Sequence, residues 1–288
     1  MARLEVTEQL SAMPPESVPK RLCAYCGSEG SLTREHLWPA SLHHRLVAAN
    51  QHTGSSFWLR RINREVEGEP TLRDVCQACN NGVLSTLDAY ACSLFDQYCA
   101  RIMQRYEKVS FEYDYHLLKR WLLKMSYNSA RIHNSMELFA YPALLPYING
   151  GSISAGRSVR LFVQLAYPGT VPRDRLADID LADAPLIWEP QDNRCGHLDF
   201  NVPGVGRKIV RVVHLRSYSF FLAFFKPGEK SATLKHFAET FLRTMSASEL
   251  LLPSRPRIEL ICDGMDAWKS IDAARENRFV GTGTDGAS

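Results

Sequence analysis

The sequence predicts an α+β fold in two parts, and three observations carry that prediction. Two CxxC pairs, Cys23–Cys26 and Cys76–Cys79, bracket a stretch of short, irregular apolar runs. After the second pair, apolar residues recur at helical spacing over two long stretches. Beyond Gly151 they alternate in part instead, at the period of strands.

Taken in order, residues 1–20 are polar, contain Pro14, Pro15 and Pro19, and read as a loose lead-in. Residues 21–42 hold the first CxxC and a partly apolar run from Leu32 to Leu42. Residues 43–75 read as an irregular excursion punctuated by Gly54, Ser55, Gly68 and Pro70. A helix is expected from about Asn80, with Leu84, Leu87, Ala91, Leu94, Tyr98 and Ile102 on one side. A second is expected over about 114–134. It has Leu118, Leu122, Met125 and Ile132 on one side and His116, Arg120, Lys124, Tyr127 and Arg131 roughly opposite. Pro142, Pro146, Gly150 and Gly151 then break the chain, which places a boundary between a domain at 21–150 and an α+β domain at 151–280.

In that second part, Val159 to Ala166 reads as a strand, and Ile209 to Phe225 as two strands whose turn has no clear signal. Residues 231–246 read as a helix with Leu234, Phe237, Phe241 and Met245 on one face, and Ile258 to Cys262 as a further strand. His197, Asp199 and His214 read as ordinary polar residues near strands. The Gly/Thr/Ser-rich end, 281–288, reads as disordered.

Composition bounds the function only loosely. The chain has 288 residues, 45% hydrophobic and 23% charged, which is ordinary for a globular protein. A formal net charge of +3 does not by itself announce a nucleic-acid binder, so any basic patch must be local. No leader-like segment and no run of 18 apolar residues is evident, so the expectation is a cytoplasmic protein with no membrane partner. In that compartment paired cysteines more often hold a metal than form a disulfide. Cys92, Cys99, Cys195 and Cys262 sit singly and read as small buried hydrophobes.

The two CxxC pairs, 49 residues apart, are the strongest single signal. Each pair lets two thiolates grip one ion from one side, and four sulfurs favour a closed structural zinc site made by Cys23, Cys26, Cys76 and Cys79. Gly27 supplies the positive φ that such a turn commonly needs.

Between the pairs lies Thr33-Arg34-Glu35-His36-Leu37-Trp38-Pro39, and Asn80-Asn81 follows the second pair directly. In this order, CxxC, EHxxP and CxxCN, the sequence resembles the zinc-containing branch of the HNH endonuclease superfamily, including phage junction resolvases with four zinc cysteines. The resemblance spans about Cys23 to Asp88. It implies a ββα-metal, treble-clef-like core: a β-hairpin and a helix around a catalytic divalent ion. Two departures are visible. Many members have Asp where this chain has Glu35, and the family's last His has no counterpart, Ser85 and Asp88 standing in that region.

The chemistry of phosphodiester hydrolysis assigns roles within that motif. A neutral imidazole is suited to take a proton from water near pH 7, which makes His36 the general base. Glu35 and Asn80 offer oxygens to Mg²⁺ or Mn²⁺, which fills its other positions with water and phosphate. Arg60, Arg61 and Arg64, with Arg45, fall in a stretch free of acids between Glu35 and Glu65, beside His43, His44, Phe57 and Trp58, and suit phosphates and unstacked bases. Arg120, Lys124 and Arg131 form a second expected phosphate track. The reading is a metal-dependent endonuclease acting on nucleic acid, with the resemblance favouring double-stranded DNA over RNA. The alternative is the same zinc fold acting as a binding module without the catalytic ion.

Overall fold

The computed structural model describes residues 21–50, 56–59, 64–135, 140–176, 187–191 and 193–272. Arg60, Arg61, the lead-in at 1–20 and the end at 281–288 lie outside the described residues.

The fold is mixed α+β. Strand β1 (Leu32–His36) pairs antiparallel with β4 (Thr71–Cys76), in a register that sets Arg34 opposite Arg73 and His36 opposite Thr71, with an irregularity between Thr33 and Arg34. Between these strands run helix α1 (Ala40–Asn50) and a small antiparallel pair, β2 (Ser56–Leu59) with β3 (Arg64–Glu67). The helix α1 falls where the sequence suggests only an irregular excursion. His43, His44 and Arg45 mask its periodicity, and it is anchored by the buried Leu42 and Leu46.

β4 leads directly into a helical rod. A first turn, Gln77–Cys79, passes through a π-helical turn at Asn80–Leu84 into α2 (Ser85–Leu94), and a second π turn, Phe95–Cys99, ends it. The kink sits at Gly82, whose φ −98°, ψ −109° is not helical. Leu84, Leu87, Ala91, Leu94 and Tyr98 are buried, as their spacing predicts. Strand β5 (Lys108–Glu112) follows, then α3 (Tyr115–His133), capped at its start by the Asp114 carboxylate and closed by Asn134 at φ 48°.

The second half is built on one twisted sheet. Its strands are β6 (Val159–Tyr167), β7 (Asn193–Val202), β8 (Gly206–Leu215), β9 (Tyr218–Phe224) and the short β10 (Glu249–Leu251), in the order β10-β6-β9-β8-β7. Helix α4 (Ser231–Thr244) packs on one face, β11 (Arg257–Ile261) pairs with β5, and β12 (Met265–Asp266) runs parallel to β6. The continuous apolar run of β9 is explained by two covered faces. Tyr218, Phe220 and Leu222 enter the main core, while Phe221 and Ala223 join Phe237 and Phe241 of α4. The turn that the sequence leaves unplaced is Arg216-Ser217, with Arg216 at φ 52° in a conformation more usual for glycine or asparagine.

The boundary expected near residue 150 does not divide the core. One apolar cluster runs from Cys23 to Cys262, and the β5–β11 pair joins the two halves of the chain. Helix α3 is the joint: it packs against α2 and against β7, β8 and β9. Trp121 of α3 is fully buried and meets Trp38 edge-on with ring centroids 6.3 Å apart. Trp121→Ala should therefore cost about 3–5 kcal/mol in denaturant melts, and a loss near zero would show that the joint is not where the core is made. Among the described residues no helix is long and apolar enough to cross a membrane.

Candidate functional site

The four CxxC cysteines converge although they come from three elements. Cys23 and Cys26 lie in the turn before β1, Cys76 ends β4, and Cys79 sits in the first helical turn after it. Their sulfurs all lie within 4.8 Å of one another, with Cys26 Sγ 3.7 Å from Cys76 Sγ. Four sulfurs about 2.3 Å from a tetrahedral ion stand about 3.8 Å apart, so the cluster could hold zinc. The turn is locally fixed: Gly27 at φ 71° donates its N–H to the Cys23 carbonyl, and the N–H groups of Cys76 and Cys79 point at Cys23 Sγ (3.3 Å) and Cys76 Sγ (3.4 Å). Hydrogen bonds from Ser28 lower the Cys26 thiol to about 6, while burial, with the neighbouring cysteines, raises Cys79. A cation at the centre would draw all four toward thiolate. The cap of the helix here is the Cys76 side chain, which frees Asn80 from that duty.

Successive residues of β1 face opposite sides. Arg34 and His36 share the outward side, while Glu35 points inward and is only 5% exposed. The His36 side chain is 42% exposed, and its Nδ1 lies 3.0 Å from Oε2 of Glu69. Glu69 is itself nearly buried, and its other oxygen accepts the Trp38 N–H at 2.5 Å. Burial raises the Glu69 carboxyl above its ordinary range, against the opposing pull of His36. Asn80 lies along the same strand: its Nδ2 donates to Thr33 Oγ1 at 2.9 Å and to the Arg34 carbonyl at 3.2 Å.

On the inward side Glu35 meets α3. Its Oε1 lies 2.9 Å from Lys124 Nζ and accepts from Asn128 Nδ2 at 3.1 Å. Lys124 Nζ also lies 2.6 Å from both carboxylate oxygens of Asp88 on α2. Burial by itself would lower Lys124; the Asp88 and Glu35 carboxylates outweigh it and hold the ammonium above its ordinary value. Asn128 continues the network to the first CxxC turn, because its Oδ1 accepts from the Tyr25 hydroxyl at 2.6 Å. The Tyr127 hydroxyl donates to the Ala24 carbonyl and Asn149 to that of Tyr25.

These contacts correct the expected phosphate track on α3. Lys124 is 1% exposed and Arg131 8%, and neither faces solvent. Arg131 pairs with Asp74 and Asn128 and lies over the Tyr25 and Tyr127 rings. Arg120 is half-buried and donates to the Ile148 carbonyl. The basic side of α3 is thus an internal polar layer whose acids come from distant parts of the chain. Arg64 is exposed at the start of β3, and Arg45 pairs with Asp96. The outward faces of β1 and β4 supply two arginines that the sequence reading did not single out, the exposed and directly opposed Arg34 and Arg73.

The structure also adds Glu69, Asp88 and Asn128 to the site. Nothing in the sequence announces the partner of Asp88. Glu69 has only the hint of Pro70 after it, which favours an extended residue just before β4. In the second half, Asp199 pairs with Arg207 and His214 with Ser219, in ordinary structural use. Comparison with known proteins gave no match to a family model, to a curated protein or to a solved structure.

Proposed function

We propose that the protein is a zinc-stapled, metal-dependent nuclease of the HNH type, acting on nucleic acid and favouring DNA. The observation that carries this reading is the outward face of β1: a half-exposed His36 held through Nδ1 by a nearly buried Glu69, beside Arg34 and Arg73. A strand pair leading straight into a helix, with the cysteine cluster at their junction, is the frame the resemblance calls for.

In this reading the Glu69 carboxylate keeps the proton on Nδ1, which leaves Nε2 to take a proton from the attacking water. Glu69 then stabilises the imidazolium that forms. Asn80 Oδ1 and the second oxygen of Glu35 are the oxygens offered to Mg²⁺ or Mn²⁺, which would offset charge on the phosphate and the leaving oxygen. Asn80 fits that duty because its Nδ2 is anchored on β1. Glu35 fits with one oxygen only, because Oε1 is engaged by Lys124 and Asn128, and it must turn outward to reach an ion beside His36, since its side chain lies 5% exposed on the opposite side of β1. Arg34 and Arg73 are the phosphate contacts on the strand pair that carries the base, with the exposed Arg64 of β3 as a further one.

One observation favours the alternative, a zinc-fold binding module: Lys124 already offsets the charge of Glu35. The deciding experiment is cleavage of plasmid DNA and of a single-stranded RNA with Mg²⁺ or Mn²⁺. Cleavage that depends on His36 supports the nuclease. Binding without cleavage under any divalent ion supports the module. Glu69→Ala should lower cleavage at least about 10-fold with DNA binding unchanged, since it removes the partner that orients the base. Arg34→Ala with Arg73→Ala should weaken binding to all sequences alike. It should also flatten its salt dependence by about one unit of slope per lost phosphate contact, and an unchanged slope would remove these two arginines from the interface.

A further inference from the structure

We propose that Lys124 is a resident cation of the site: its ammonium fills, between Glu35 and Asp88, a position that a divalent ion would otherwise take. The inference rests on the nuclease reading only in treating Glu35 as part of the active centre.

Three carboxylate oxygens from two elements converge on Lys124 Nζ, two from Asp88 at 2.6 Å and one from Glu35 at 2.9 Å. Hard divalent cations are likewise held by carboxylate oxygens, Ca²⁺ by about six to eight oxygens at about 2.3–2.6 Å, so these three would supply part of such a shell and water the rest. The occupant here comes from α3, which lies outside the strand pair and helix that carry the motif. It is sealed in: Lys124 is 1% exposed and Glu35 5%, while Asp88 at 20% forms the rim. The groups facing this point are Glu35 from β1, Asp88 from α2 and the neutral Asn128 from α3, with His36 and Glu69 acting from the outward side of β1. Two carboxylates against one ammonium leave one negative charge. With Lys124 in place that single charge suits one exchangeable ion at the rim. Without it the buried Glu35 carboxylate and the Asp88 carboxylate at the rim would face each other unpaired, and a divalent ion would match them.

The device therefore sets how many ions the centre takes. It makes Lys124 a positioning residue for Glu35, because the ammonium fixes Oε1 and leaves only the other carboxylate oxygen to turn elsewhere.

The test uses the full-length, zinc-loaded protein and Mn²⁺ as probe, read by Mn²⁺ stoichiometry and by melting temperature. Lys124→Ala should bind about one more Mn²⁺ per chain than wild type. Its stability should also rise steeply with Mn²⁺ and with Ca²⁺, because an ion that binds only the folded state stabilises it. Adding Asp88→Asn should abolish the extra ion and the rise. If Lys124→Ala does not fold without divalent ions, recovery on refolding with Mn²⁺ gives the same support. Failure to fold with every ion tried, or an equal loss of stability with and without Mn²⁺ at unchanged stoichiometry, overturns the proposal and leaves an ordinary internal ion pair. A wild type that cuts no nucleic acid would sink the nuclease reading and leave this result standing.

Discussion

His36→Ala is expected to lower cleavage by about 10²–10⁴-fold, the usual contribution of a positioned general base, while zinc content and DNA binding persist. The structure explains why binding should survive. The His36 imidazole is half-exposed and its one described side-chain partner is Glu69, so its removal opens no large cavity and breaks no backbone pairing of β1. Asn80→Ala and Glu35→Ala are expected to behave differently. In the proposed reading both supply oxygens to the exchangeable ion, so raised Mg²⁺ or added Mn²⁺ should recover part of their loss. Extra metal cannot replace a proton acceptor, so His36→Ala should stay unrescued. Glu35→Ala carries a further cost, because it leaves Lys124 with Asp88 alone in a buried place. Its melting temperature should fall where that of His36→Ala does not. Cleavage by His36→Ala at the wild-type rate would move the base elsewhere and remove the main support for the nuclease reading.

The elements that the sequence places correctly are those with a single demand on each side chain. Helix α4 shows one apolar face and lies at Ser231–Thr244 against the 231–246 expected. The periodicity of α2 holds through Tyr98 even though π turns flank it. The sequence places helix α3 nearly to the residue, but its polar side is buried rather than solvated, and the reason is physical. Lys124 and Arg131 look like a solvated face because no acid stands near them in sequence. Their partners Glu35, Asp88 and Asp74 lie between 36 and 89 residues away. Strand β7 carries no clear sequence signal for a related reason. Asn193, Arg194, His197, Asp199 and Asn201 give it a polar look, and it is an edge strand with only Val202 fully buried. At the candidate site, the cysteines, Glu35, His36 and Asn80 were legible because the motif fixes their order. Glu69 and Asn128 were not, because their roles arise from strand register and helix packing.

Zinc should be required for the strand pair and the start of the helical rod to form. About one zinc per chain is expected by elemental analysis, and Cys76→Ser or Cys79→Ser should abolish it. Apparent affinities for structural zinc in small zinc-binding folds reach about 10–16 kcal/mol near pH 7, comparable to the whole stability of about 5–15 kcal/mol of an ordinary domain. A serine at either position therefore removes enough to unfold the strand pair and the start of the helical rod. The loss should also spread. The turn at Cys23–Cys26 is bonded to α3 through Tyr25–Asn128 and Tyr127–Ala24, and α3 is packed against the sheet of the second half. Amide exchange should thus rise first over residues 23–36 and 71–80 and then along α3, with β6 and β9 holding longest. A chelator in excess should reproduce the pattern in wild type, and zinc, added back under reducing conditions, should reverse it. A zinc-free protein that melts cooperatively at the wild-type temperature would show that hydrogen bonding and packing alone hold the four cysteines together, and would end the assignment of a structural metal.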